Sequence, residues 1–262
     1  HGIGDDCQNF DSWISFFKRN YNYDIVKCIE YGAGDSSVFG TLFNQGKTSC
    51  NLIKNDKELN GKDVDVWGLS MWGLIARYII QDCDFGGSVK KFISYGSPQS
   101  GVQLIPKCKL GKCKLLNFLA KSLVYKSLTQ KIFSPSNFFR VIGKEDKYKK
   151  YAKFLPTINN QIDHPKKDQY KKRFSSLDKL VLVEFSQDQI VQPSISSLFG
   201  YYDVKSNIIK MRDTEEYKND FFGLKTLDDA KKIEEIVSDG GHLQVGDRAD
   251  YLKIFNHLDW IS

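Results

Sequence analysis

Apolar residues in this chain of 262 fall into short continuous runs, separated by stretches in which they recur every three or four positions. The runs at residues 64–69, 89–95 and 179–185 are dominated by apolar, mostly β-branched and aromatic, residues and read as buried strands. Residues 23–31 alternate well enough for a further strand, and 208–211 and 235–238 are short strand candidates. Helical spacing appears where Phe10, Trp13, Ile14 and Phe17 share one face, over 39–59 despite Gly46, and over 74–81, 227–232 and 249–260. Strands alternating with helices predict an α/β fold: a mostly parallel sheet with right-handed crossovers and helices on both faces. From Val102 to about Asp178 the alternation stops and the chain becomes helical and rich in lysine. We read this stretch, about 102–178, as an insertion capping the strand ends of a single domain spanning 1–262.

Composition narrows the function classes. An apolar content of 41% supports a substantial core. The excess of 38 basic over 32 acidic residues, net +6, is too small to imply a nucleic-acid partner. No apolar run reaches the roughly 18 residues of a membrane span. The basic runs around Lys144–Lys153 and Lys166–Arg173 leave two readings: a solvated face, or attraction to an anionic membrane or acidic substrate. Cap residues such as Leu115, Leu116, Phe118, Leu119, Leu123, Val124, Phe133, Phe138 and Phe139 outnumber what one core-facing stripe needs, so they either pack the cap or line an apolar groove. Six cysteines, Cys7, Cys28, Cys50, Cys83, Cys108 and Cys113, include no C-x-x-C metal pair; they read as disulfides of an oxidising compartment or as buried thiols.

The candidate chemistry begins at Ser70. It follows the run Val64–Leu69 and precedes a helical pattern, so it sits on a strand-to-helix turn with Gly68 before it. A helix N-terminus there favours the negative charge of a tetrahedral oxyanion. The alternative is a serine at an ordinary helix start, because Trp72 stands where the G-x-S-x-G pattern has its second glycine. Asp188 lies just past the run 179–185, where a triad acid belongs, although a lone aspartate in a turn is equally a cap. Of four histidines, His164 precedes a proline in the cap, His257 lies in the terminal helix and His1 is at a terminus; His242 follows the last strand candidate with glycines before it. The chain order Ser70, Asp188, His242 is that of α/β-hydrolases. The opening His1-Gly2-Ile3-Gly4 can aim main-chain N–H groups at an oxyanion, or is a glycine-rich terminus.

With those residues in place, the chain resembles the palmitoyl-protein thioesterases, lysosomal or secreted α/β-hydrolases that cleave fatty acyl thioesters from protein cysteines. The resemblance is carried by His1-Gly2-Ile3-Gly4-Asp5-Asp6-Cys7, Gly68-Leu69-Ser70, Arg173-Phe174-Ser175-Ser176-Leu177, Phe199-Gly200-Tyr201-Tyr202 and Gly240-Gly241-His242-Leu243, and spans nearly the whole chain. It implies Ser70 as nucleophile, His242 as base, Asp188 as its orienting carboxylate, and the N–H groups of Ile3 and Met71 as oxyanion hole. It further implies an acyl groove under the cap, disulfides Cys50–Cys83, Cys108–Cys113 and Cys7–Cys28, S-acylated proteins or acyl thioesters as substrates, and neither metal nor organic cofactor. Trp72 stands where the family has a small residue. We expect its indole to swing outward towards the cap and gate the groove; a site closed that way would leave a thioesterase-like structural or binding subunit. A sheet beginning at His1 would lack the strand that carries the oxyanion loop, so an apolar strand is expected just upstream.

Overall fold

The structure, a computed structural model, describes residues 6–32, 34–104, 123–245 and 253–256. Its strands are β1 (Val64–Leu69), β2 (Val89–Tyr95), β3 (Lys179–Phe185), the two-residue pair β4 (Tyr201–Tyr202) and β5 (Ile208–Ile209), and β6 (Ile233–Ser238). Four of them form one sheet in the order β1-β2-β3-β6 with every pairing parallel, while β4 and β5 pair antiparallel on their own. Register aligns Leu69 with Tyr95, Tyr95 with Val183 and Phe185 with Ser238. The four C-terminal ends therefore lie along one edge of the sheet, which is where open α/β sheets place their sites.

Both faces of this sheet are covered, which explains the apolar run at residues 180–183 in the centre of β3. Successive strand side chains point to opposite faces, so Phe92, Leu180 and Leu182 enter one core while Ile93, Tyr95, Val181, Val183 and Phe185 enter the other. The second core is closed by α1 (Asp11–Asn20) and by Ile254 and Phe255. α1 turns Trp13 and Phe17 inward, with Phe10 just before it, while Ile14 of the expected face is not in this core; the Trp13 ring centroid is 4.9 Å from that of Trp67, in an edge-on contact. The first core lies under α2 (Leu42–Asn55) and α3 (Trp72–Asp82).

Between β2 and β3 the described chain forms α4 (Ser127–Ile132), α5 (Glu145–Tyr151), α6 (Leu155–Ile158) and α7 (Lys167–Ser175); α8 (Glu215–Lys218) and α9 (Leu224–Asp229) follow β5. Of these, α6 and α7 meet α3 at Arg77, a side chain with no solvent exposure. Its Nε donates to Gln81 Oε1 at 2.9 Å, Nη1 to Gln99 Oε1 at 3.0 Å, and Nη2 to Ile158 O and Asn159 Oδ1 at 3.1 Å. The guanidinium also lies over Phe174 and Phe222, 4.5 and 4.6 Å from their centroids. Burial lowers its pKa to about 9, which leaves it charged at neutral pH. A buried cation is tolerable only when its donors are satisfied, so the network pins α6 to α3 and to the loop after β2.

Two expectations are corrected. Residues 23–31 form no strand. They make no ladder with β1 or any other described strand; residues 22–29 and β1 both line a cavity of about 480 Å³. Side chains hold the segment instead: Tyr23 donates to Asp65, and Lys27 pairs with Asp56 and Glu58, both at 2.6 Å. The helix expected over 39–59 is confined to Leu42–Asn55, starting where Thr41 Oγ1 caps Asn44 N.

Two disulfides are present, Cys7–Cys28 with Cα atoms 5.7 Å apart and Cys50–Cys83 with 5.6 Å. Both match the pairing expected from the resemblance, while Cys108 and Cys113 lie outside the described residues. No described helix is long and apolar enough to cross a membrane.

Candidate active site

Ser70 is the first residue after β1 and occupies the left-handed region, φ 52°. For a residue with a side chain this costs about 1–3 kcal/mol and persists only where the surroundings impose it. Here Ser70 N donates to Tyr95 O at 2.9 Å, and Ser70 O accepts from Gly73 N at 3.1 Å. The chain is thus turned from strand to helix within one residue, and Met71 is the N-cap of α3. The Met71 N–H is at the end of the helix where main-chain donors have no intrahelical acceptor. Ile3, the other expected oxyanion donor, lies outside the described residues.

The turn is this tight because α3 approaches the sheet closely. A Cβ at Gly73 would lie 1.8 Å from Ser97 Oγ and 2.5 Å from Ser97 Cβ, and one at Gly68 would lie 2.6 Å from Gly73 Cα. The position that must be small is therefore Gly73, three residues after the serine. The sequence reading looked two residues after it and missed this; the Trp72-Gly73 dipeptide was the available signal.

Trp72, the expected gate, is the first residue of α3. It is buried and is among the residues lining a cavity bounded by α2, β1 and residues 22–29; none of the described residues of 102–178 lines that cavity. Trp72→Ala is accordingly expected to destabilise the fold by about 3–5 kcal/mol through lost packing and to leave the acyl-chain-length profile unchanged. Denaturant unfolding together with rates on short- and long-chain thioesters checks both halves.

Past the ends of β3 and β6 the loops bring an acid and a histidine to the serine. His242 Nδ1 is 2.6 Å from Asp188 Oδ2, and His242 Nε2 is 3.0 Å from Ser70 Oγ. The Asp188 side chain has no solvent exposure, against 15% for His242. Its other oxygen, Oδ1, accepts from Ile190 N at 2.7 Å and Val191 N at 2.9 Å, an Asx-type turn that fixes the carboxylate. The two loops are stitched together as well. Asp239 Oδ1 accepts from Ser186 Oγ and Gln187 Nε2, and Gln187 N donates to Gly240 O at 3.0 Å. Nearby, burial raises the pKa of Glu184, whose Oε1 accepts from Ser194 Oγ at 2.6 Å; the sequence reading did not single it out.

Ser70, Asp188 and His242 are thus in one hydrogen-bonded line, although 54 residues separate His242 from the acid and 172 separate it from the serine. An imidazole so placed can take a proton from the hydroxyl while the carboxylate holds its tautomer. His164 takes no part: its Nε2 is 2.8 Å from Asn160 Oδ1, its ring packs on Tyr170, and burial lowers its pKa. His1 and His257 lie outside the described residues. Of the cap's apolar side chains, Val124, Phe138 and Phe139 are buried, Leu123 and Phe133 are exposed, and Leu115, Leu116, Phe118 and Leu119 lie outside the described residues.

A profile of the family described as Palmitoyl protein thioesterase matches residues 1–242. The palmitoyl-protein thioesterase-dolichyl pyrophosphate phosphatase fusion 1 of Schizosaccharomyces pombe is 31% identical over 255 residues, 94% of this chain and 40% of that protein, so the chain spans less than half of this relative. Palmitoyl-protein thioesterase 1 of Caenorhabditis elegans is 30% identical over 260 residues, 94% of this chain and 85% of that one. Lysosomal thioesterase PPT2 of Bos taurus is 32% identical over 234 residues, 87% and 74% respectively.

Proposed function

The chain belongs to the palmitoyl protein thioesterase family, and from that premise we propose that it is a serine thioester hydrolase which removes long-chain acyl groups such as palmitoyl from protein cysteines. Ser70 is the nucleophile, His242 the general base and Asp188 its orienting carboxylate. As Ser70 Oγ attacks the thioester carbonyl, its proton passes to His242 Nε2 and the carbonyl oxygen becomes an oxyanion. The N–H of Met71, with that of Ile3, receives this charge. Collapse breaks the C–S bond, and the proton on Nε2 goes to the departing thiolate. Water then gives a proton to His242 and attacks the acyl-serine; the C–Oγ bond breaks, the fatty acid leaves and Ser70 regains its proton.

The observation that carries this reading is the pair of hydrogen bonds on His242, 2.6 Å to Asp188 and 3.0 Å to Ser70. The alternative, in which Trp72 closes the site and leaves an inert subunit, predicts no labelling of Ser70. Residues 102–178 serve as a helical cap of a single domain. Two disulfides suit an oxidising compartment, lysosomal or extracellular. Acyl chains of S-acylated proteins reside in a membrane leaflet, so the reading includes peripheral contact through the lysine-rich face of the cap. A fluorophosphonate probe tests the site directly. Covalent labelling is expected at Ser70 and is expected to vanish in Ser70→Ala and fall steeply in His242→Ala; a folded wild-type protein that takes no label would refute the assignment.

A further inference from the structure

The cap carries a second concave site that the proposed chemistry does not use. A cavity of about 560 Å³ beside α4 is lined by Lys126, Lys131, Lys144, Lys147 and Lys153, with no carboxylate among its described lining residues. Lys149, on the same helix as Lys147, is paired with Glu215; by contrast, Lys126, Lys131, Lys147 and Lys153 make no ion pair among the described residues. Like charges gathered round one hollow repel one another, and the local potential they create favours an anion there.

The walls of this cavity are fixed from behind. Gln130 is buried, and its Nε2 donates to Val124 O at 2.8 Å and Ser136 O at 2.7 Å. Its Oε1 accepts from Lys153 N at 3.3 Å, and its carbonyl accepts from Asn137 Nδ2 at 2.9 Å. The hydroxyl of Tyr125 accepts from Val141 N at 2.9 Å. The lysines therefore project from a framed hollow rather than from a loose loop.

Apolar side chains stand exposed on the same elements. Leu128 is 68% and Ile132 51% exposed, both on α4, and Leu123 just before it is 48% exposed. Phe133 at the end of α4 bridges to Phe39, which is also exposed. The next residue, Ser134, donates to Met71 Sδ at 3.4 Å, so this apolar rim ends against the residue that follows Ser70. Clustered exposed apolar groups mark an interaction surface, and apolar groups beside lysines are the composition that enters the headgroup region of an anionic membrane.

We propose that this lysine-lined cavity binds phosphate headgroups of an anionic phospholipid membrane and so seats the apolar rim of α4 in the bilayer surface next to Ser70. The inference rests on the reading that the acyl substrate is drawn from a membrane. Binding itself needs no catalysis, so the two can fail separately.

The experiment is co-sedimentation of the Ser70→Ala protein with phosphatidylcholine vesicles, with and without phosphatidylserine. Partitioning is expected only onto the phosphatidylserine vesicles and is expected to weaken with salt. Each lysine near such a surface is worth about a fivefold change in partitioning, so reversing three of them in Lys131→Glu/Lys147→Glu/Lys153→Glu should reduce it on the order of a hundredfold or more. Those side chains are exposed, and circular dichroism confirms that the variant folds. Leu128→Asn/Ile132→Asn should weaken partitioning while retaining the salt dependence. Equal partitioning of the lysine variant, or equal partitioning onto neutral vesicles, overturns the proposal. So does saturable binding of inorganic phosphate or polyglutamate without vesicle association. In the Ser70 background the lysine variant should hydrolyse a water-soluble thioester at the wild-type rate and a vesicle-embedded acyl peptide more slowly. A wild-type protein that partitions as expected but hydrolyses neither would leave the docking site standing and remove the hydrolase reading.

Discussion

Asp188→Asn should lower kcat on a palmitoyl thioester by about 10⁴-fold while leaving the fold intact. Its carboxylate holds the Nδ1 side of His242 at 2.6 Å, so Nδ1 carries the proton and Nε2 is free to accept one from Ser70 Oγ at 3.0 Å. An amide can keep the local turn, because its oxygen still accepts from Ile190 N and Val191 N. Its NH₂ would then face Nδ1. That favours the tautomer with the proton on Nε2, which cannot accept the serine proton. Ser70→Ala should cost more, on the order of 10⁶-fold, and the double variant little beyond that, since the residues act as a unit. Single-turnover rates and fluorophosphonate labelling rates, with melting curves beside them, measure this. An Asp188→Asn protein retaining a tenth of wild-type activity would sink the assigned role of the acid.

The triad positions were legible because each depends on one local rule. A parallel strand covered by the core reads as a largely apolar stretch, and a chemical residue just past its end falls on the shared edge of the sheet; Ser70 and Asp188 satisfy this after β1 and β3, while His242 follows β6, a half-exposed strand at the end of the described order whose end lies on the same edge. The face of α1 was legible from helical spacing for the same reason. Residues 23–31 were not, because alternation shows that a segment suits a ladder but cannot supply the neighbour, and here no described strand pairs with it. Arg77 was hidden differently. Its helix is apolar all round, a pattern of complete burial, and a lone cation in it can be placed only once Gln99 and Asn159, 22 and 82 residues away, are seen to meet it.

The Gly73 finding leads to the second large effect. A motif counts residues from the serine, whereas the constraint is the distance from helix to sheet. Gly73→Ala places a methyl group 1.8 Å from Ser97 Oγ and 2.5 Å from Ser97 Cβ, so α3 must lift or Ser97 must move. Ser97 is buried and its Oγ donates to Gly68 O at 3.2 Å, which leaves it little room. Overpacking of this kind costs typically about 1–3 kcal/mol, and the shortness of the clash places the expected loss near about 3. Activity should fall with it even where the protein remains folded, because Gly73 N donates to Ser70 O and a lifted helix end moves the serine away from His242. Displacements near 1 Å at a reacting group can cost about 100-fold. Ser97→Gly removes both clashing atoms, so Gly73→Ala/Ser97→Gly should recover much of the stability and the rate, a coupling that a double-mutant cycle reads directly. Additive losses in that cycle would mean that Ser97 is not what holds position 73 to glycine.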